Sequence, residues 1–108
     1  MPEPEVEAQF AALTRDYAQR LPGRVRGLEA EAAALAEAWD RARADELQRQ
    51  CHNLAGSGAC YGFPQVSTAA QAAEREVEAC LALGASTPAL AGALVALVAA
   101  VDATVGGA

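Results

Sequence analysis

Apolar residues recur along this chain at spacings of three and four, in five successive stripes. That period belongs to amphipathic helices, not strands. The first stripe is Val6, Phe10, Leu13 and Tyr17. Leu21-Pro22-Gly23 interrupts it, with Pro22 suited to the first turn of a new helix, where its missing N–H is not needed. Val25, Leu28, Ala32, Leu35 and Trp39 follow as a second stripe. Asp40 with Arg41 to Ala44 reads as a short connection in which Asp40 can serve as a cap. The third stripe is Ala44, Leu47, Cys51, Leu54, Gly58 and Tyr61, stopped by Gly62-Phe63-Pro64. Val66, Ala69, Ala73, Val77, Cys80 and Leu81 form the fourth, ended by Gly84. Ser86-Thr87-Pro88 places a cap before a proline at the first helical position. Leu90, Leu94, Leu97, Val101 and Val105 make the last stripe, which fades into Gly106-Gly107.

Five segments with one apolar face each need a common core, and short connections make sequential neighbours antiparallel. The expected fold is therefore all-α: an up-and-down four-helix bundle with a short additional N-terminal helix. Residues 1–108 are one domain's worth. Hydrophobic residues make up 53% of the chain and aromatics only 5%, with much alanine, which suits helices packed through small side chains.

A net charge of −6 has the wrong sign for binding phosphate backbones, so no nucleic-acid partner is expected. The three cysteines, Cys51, Cys60 and Cys80, are an odd set without CxxC spacing. Cys51 and Cys80 fall on apolar faces, where a thiol acts as a small hydrophobe, and a reducing cytosol is the expected compartment. The acidic Met1-Pro2-Glu3-Pro4-Glu5 lead-in is no signal peptide. The apolar run from Leu90 to Val101 is too short to span a membrane, so a soluble protein without a membrane partner is expected.

His52 is the only histidine. It follows the apolar position Cys51 and so lies on the flank of the third stripe, successive residues being about 100° apart around a helix. Gln48 and Arg49 precede it on its own face, and Ala55, Gly56 and Ala59 follow. Glycine inside a helix costs about 1 kcal/mol relative to alanine. A reason for Gly56 is clearance: without a side chain one turn on, the imidazole edge stands open to another protein. A neutral imidazole is a nucleophile near physiological pH. Phosphoryl transfer asks chiefly for attacking and leaving atoms in line. The chain has no P-loop, no kinase glycine loop and no evident carboxylate cluster for magnesium, so no autonomous kinase activity and no intrinsic cofactor are expected.

The run Cys51-His52-Asn53-Leu54-Ala55-Gly56-Ser57-Gly58-Ala59-Cys60-Tyr61-Gly62 resembles the signature of histidine-containing phosphotransfer (Hpt) domains. That signature has a histidine, a hydrophobic residue two later, usually lysine third, glycine fourth and glycine tenth. His52, Leu54, Gly56 and Gly62 stand in register with it, and Leu21-Pro22 and Gly62-Phe63-Pro64 are also typical. The likeness runs from about residue 6 to 104. It implies that His52 is the phosphoacceptor, taking a phosphoryl group on Nε2 from a receiver-domain aspartate and passing it to another. The implied partners are receiver domains of hybrid kinases and response regulators, which supply the magnesium. A monomer is implied too, and the cysteine usage and the lead-in already point to the cytoplasm. Glu74 matches the position from which a polar side chain contacts the other imidazole nitrogen, where a carboxylate would fix the ring tautomer.

One departure stands out. Ala55 occupies the position of the usual lysine, so the customary positive charge near the phosphoryl group is missing. Arg49, one turn before His52, could substitute as a phosphate partner; otherwise it is a solvated helix arginine. Two rivals follow. The dimerisation helices of sensor kinases also carry a phosphorylated histidine, but there an acidic residue follows it, whereas Asn53 does here. A degenerate Hpt-like bundle that binds receivers without phosphotransfer is the other, with Ala55 as its first sign.

Overall fold

The structure is a computed structural model and describes residues 4–106. Met1 to Glu3 of the lead-in and Gly107 of the terminal glycine pair lie outside the described residues. Four helices make up the fold: α1 Pro4–Glu37, α2 Arg41–Cys60, α3 Pro64–Leu83 and α4 Pro88–Val105. No strand occurs among the described residues. The connections are so short that helices packed on their neighbours must alternate in direction. α2 packs chiefly on α3, α3 on α4 and α4 on α1, while α1 and α2 touch more thinly and close the ring. This is the expected all-α, up-and-down bundle.

The expected short N-terminal helix is not separate. The first stripe and the second as far as Leu35 belong to one helix of 34 residues that continues through Pro22. Tyr17, Leu21 and Val25 are spaced four and four, so both stripes share one face and a continuous helix keeps them in phase. Leu21, Val25, Leu28, Ala32 and Leu35 are buried on that face. At 1.5 Å per residue α1 is about 51 Å long, which matches the longest dimension of the molecule, 51 Å. The other helices have 18 to 20 residues. The start of α1 therefore reaches past them, and Val6, Phe10 and Leu13 are more than half exposed.

Aromatic stacking fastens this reach of α1 to the end of α2. The Tyr17 ring stacks on Tyr61 at 4.4 Å and on Phe63 at 5.9 Å, and Phe10 stacks on Tyr61 at 5.9 Å. Tyr61, the last residue of the third apolar stripe, is thus a partly exposed member of a stack. Trp39 lies in the α1–α2 connection, not on a helix, and packs partly buried against the core.

Asp40 caps α2, its carboxylate accepting from the Arg43 backbone N–H at 3.0 Å. A cap at Asp40 starts the helix at Arg41, so Arg41 to Ala44 is the first turn of α2 and not part of the connection. Arg43 also forks onto Glu31 of α1 with bonds of 2.6 and 2.9 Å. Pro64 and Pro88 open α3 and α4 as expected. Thr87 occupies the cap position of α4 without a side-chain capping bond. Gly62 and Gly84 end α2 and α3 in the left-handed region, with φ of 84° and 78°, which glycine adopts without strain.

Cys51 and Cys80 are buried and Cys60 is exposed. α4 is long and apolar enough, by length and composition, to cross a membrane. The expectation that this stretch was too short counted only Leu90 to Val101, and the helix extends beyond both ends. In the bundle Leu90, Leu94, Leu97 and Val101 face the shared core.

Candidate functional site

His52 projects from the middle of α2, beside the fully buried Cys51 and Leu54 that anchor the helix. Its side chain is 70% exposed. On the facing turn of α3, Glu74 brings Oε2 to 3.0 Å from Nδ1 of His52. An ionised carboxylate only accepts hydrogen bonds, so Nδ1 carries the proton of the neutral ring and donates it. Nε2 is then left with its lone pair free. The side chain of Glu74 is itself only 15% exposed, which holds the carboxylate close to α2 and away from bulk water.

A third side chain completes the group. Gln48, one turn before His52, donates from Nε2 to the same Glu74 oxygen at 2.9 Å and lies 3.5 Å from Glu78 Oε1. Sequence placed Gln48 on the face of His52 but said nothing of its partner. The contact spans 26 residues and depends on how α2 and α3 are turned toward each other.

Two open grooves flank the imidazole. Asp45, Gln48, Arg49 and Glu74 border the first. The second is lined by small residues, Ala55, Gly56, Ala59 and Ser67, together with Gln71 and Glu74. A Cβ built on Gly56 meets nothing within 4 Å, so the turn beyond His52 is open space. Ala55 is nearly buried, at 7% exposure, on the floor of that groove. Its carbonyl accepts a 2.7 Å bond from the buried Ser67 hydroxyl, which locks the start of α3 onto α2. Arg49 borders the first groove and pairs with Glu46 at 2.6 Å, both side chains being well exposed. Gly62 stands apart, forming the α2–α3 turn and lining neither groove. Burial pushes the Cys51 thiol up to about 11, with the nearby Glu74 charge adding to the effect, so the sulfur beside His52 stays protonated and inert. Among the described residues no cluster of histidine, cysteine and carboxylate side chains is arranged to hold a metal ion.

An exposed imidazole, oriented through one nitrogen and unencumbered at the other, is suited to accept a group from a second protein. The model of the Hpt domain family matches residues 8–104. The chain belongs to the Hpt domain family. Its general role is accordingly histidine phosphotransfer in two-component signalling. The matched span of this Hpt domain includes every residue of the site, from Asp45 to Glu74, and nearly all of the four helices. Comparison with curated proteins and with solved structures gave no match.

Proposed function

We propose that this Hpt domain shuttles a phosphoryl group between receiver-domain aspartates in a multistep phosphorelay, carrying it on Nε2 of His52. The observation that carries the reading is the bond from His52 Nδ1 to Glu74, made by a ring that is otherwise open. The free lone pair on Nε2 attacks the phosphorus of an aspartyl phosphate. The N–P bond forms as the P–O bond to the aspartate breaks, and the bonding pair leaves with the carboxylate. The phosphorylated ring keeps its proton on Nδ1 and is cationic until the group moves on, and Glu74 balances that charge. Transfer to a second aspartate runs the same exchange in reverse. The receivers supply the magnesium, and this chain contributes no kinase activity of its own. We place it in the cytoplasm as a monomer, residues 1–108 forming one Hpt domain.

A second reading is a scaffold that binds receivers without accepting phosphate. Ala55 favours it, because no lysine of this chain stands at that position to stabilise the phosphoryl group. Incubation with a panel of labelled phospho-receiver domains separates the two. Transfer predicts acid-labile label on this chain that is absent from His52→Gln at unchanged helicity. Binding without label supports the scaffold, and label persisting in His52→Gln refutes the assignment of the acceptor.

A further inference from the structure

We infer that Gln48 is a positioning residue for His52, acting through Glu74 to hold the imidazole in the tautomer that leaves Nε2 free. The chemical benefit of this arrangement rests on the relay reading above; the geometry does not. Three side chains meet at a single oxygen: Glu74 Oε2 accepts from His52 Nδ1 at 3.0 Å and from Gln48 Nε2 at 2.9 Å. Glu74 is a long side chain with several rotatable bonds, and a single bond to an exposed ring leaves it free to swing away. Glu78, one turn further along α3, adds like-charge repulsion at the i,i+4 spacing. Gln48 opposes both effects. Its amide fixes Oε2 from the α2 side, and the same Nε2 reaches 3.5 Å from the Glu78 carboxylate, which places a donor between the two acids.

The type of donor matters as much as its position. Lysine or arginine at residue 48 would also hold Glu74, but its positive charge would compete with the imidazole for that carboxylate. A neutral amide holds the oxygen and leaves the negative charge available to Nδ1–H, and to the cationic ring once Nε2 is phosphorylated. Among the described residues no side chain other than Gln48 and His52 donates to Glu74. Arg49 is engaged with Glu46, and the Ser67 hydroxyl is spent on the Ala55 carbonyl.

Gln48→Met decides the matter, because methionine keeps the length and apolar stem of glutamine and removes the donor. Two quantities are to be measured beside the parent chain: the imidazole ¹⁵N shifts at a pH where the ring is neutral, and phosphoryl transfer from a phospho-receiver across a concentration series. The expected result is a shift from the Nδ1–H form toward mixed tautomers. The rate at saturating receiver should fall about tenfold, the low end of what losing such an outer partner costs metal-bound histidines. The half-saturating receiver concentration should stay unchanged, since Gln48 is not asked to bind the partner. Parent-like ¹⁵N shifts in Gln48→Met would overturn the inference, as would a loss confined to half-saturation. If the parent itself never accepts label, the relay reading fails, while the ¹⁵N comparison still decides whether Gln48 positions the ring.

Discussion

A Cβ placed on Gly58 would lie 3.2 Å from the backbone nitrogen of Ser67, so α2 and α3 approach closely at a position that glycine alone fills without displacement. Ser67 has little room to yield. Its N–H bonds to the Phe63 carbonyl at 3.0 Å, and its hydroxyl bonds to the Ala55 carbonyl at 2.7 Å. Two residues earlier, Gly56 faces open space. The same substitution at the two glycines should therefore have opposite signs. Gly56→Ala removes a helix-interior glycine at no steric cost and should stabilise by about 0.5–1 kcal/mol. Gly58→Ala makes the same propensity gain but overpacks a helix contact. A net loss of about 1 kcal/mol is expected. Denaturant midpoints moving in opposite directions would bear this out; a gain at both positions would show that α3 shifts freely.

Gly56→Leu tests the clearance itself. The added side chain would stand one turn from His52 in space that now holds nothing, so it should obstruct a docking partner far more than it disturbs the bundle. Losing the helix-interior glycine should stabilise the bundle by about 0.5–1 kcal/mol, much as Gly56→Ala does, because leucine is close to alanine in helix propensity. Transfer from a phospho-receiver should fall at least tenfold. Unchanged transfer kinetics would remove clearance as the reason for this glycine.

The helices were legible because each bears a continuous apolar stripe, and a buried stripe is what a bundle requires. What misled was punctuation. Leu21-Pro22-Gly23 looks like a break, yet Tyr17, Leu21 and Val25 keep helical phase across it, and phase proved the better guide. Asp40 was recognisable as a cap, and treating it strictly as one would have begun α2 at Arg41. At the site, His52, Gly56 and Glu74 could be named from local spacing and family likeness. The link from Gln48 to Glu74 could not, because it depends on the rotation of α3 against α2 and leaves no local trace in either segment.

On the relay reading, charge at position 55 is expected to affect the lifetime of the phosphoryl group. A lysine introduced there would climb out of the small-residue groove and, because helical side chains lean toward the N-terminus, carry its ammonium toward His52 one turn earlier. Ala55→Lys should lengthen the half-life of labelled protein about two- to fivefold, in keeping with a partly exposed charge pair. An equal half-life would show that charge at this position does not govern hydrolysis.

Cys51 predicts a loss of stability in alkali. Its folded-state value of about 11 lies above the ordinary thiol value of 9.0, because burial disfavours the thiolate and Glu74 adds to that. A raised value means that the folded chain holds the thiol proton more tightly than the unfolded chain does. The contribution is whole below about pH 9 and is lost progressively as pH rises toward 11, by roughly 2–3 kcal/mol in all. The stability difference between the parent and Cys51→Ala, measured from pH 8 to 10.5, should narrow as pH rises. A constant difference would mean that the thiol does not ionise on unfolding in this range. Cys60, being exposed, is left unchanged in both proteins.

Pro22 offers the sharpest test of the fold. Inside α1 it has no N–H for the Ala18 carbonyl, and its ring crowds that carbonyl, a combination that costs about 3 kcal/mol in a helix interior. Proline also restricts the unfolded chain, which returns up to about 1 kcal/mol. Pro22→Ala should accordingly stabilise the bundle by about 1–2 kcal/mol and raise the melting midpoint by roughly 5 °C or more. The outcome depends on continuity. Were α1 two helices meeting at residue 21, Pro22 would occupy a first-turn position where proline is favourable, and alanine would leave stability unchanged or lower it. A rise in the midpoint therefore supports one long helix, whereas a neutral or negative shift would restore the break that Leu21-Pro22-Gly23 suggests.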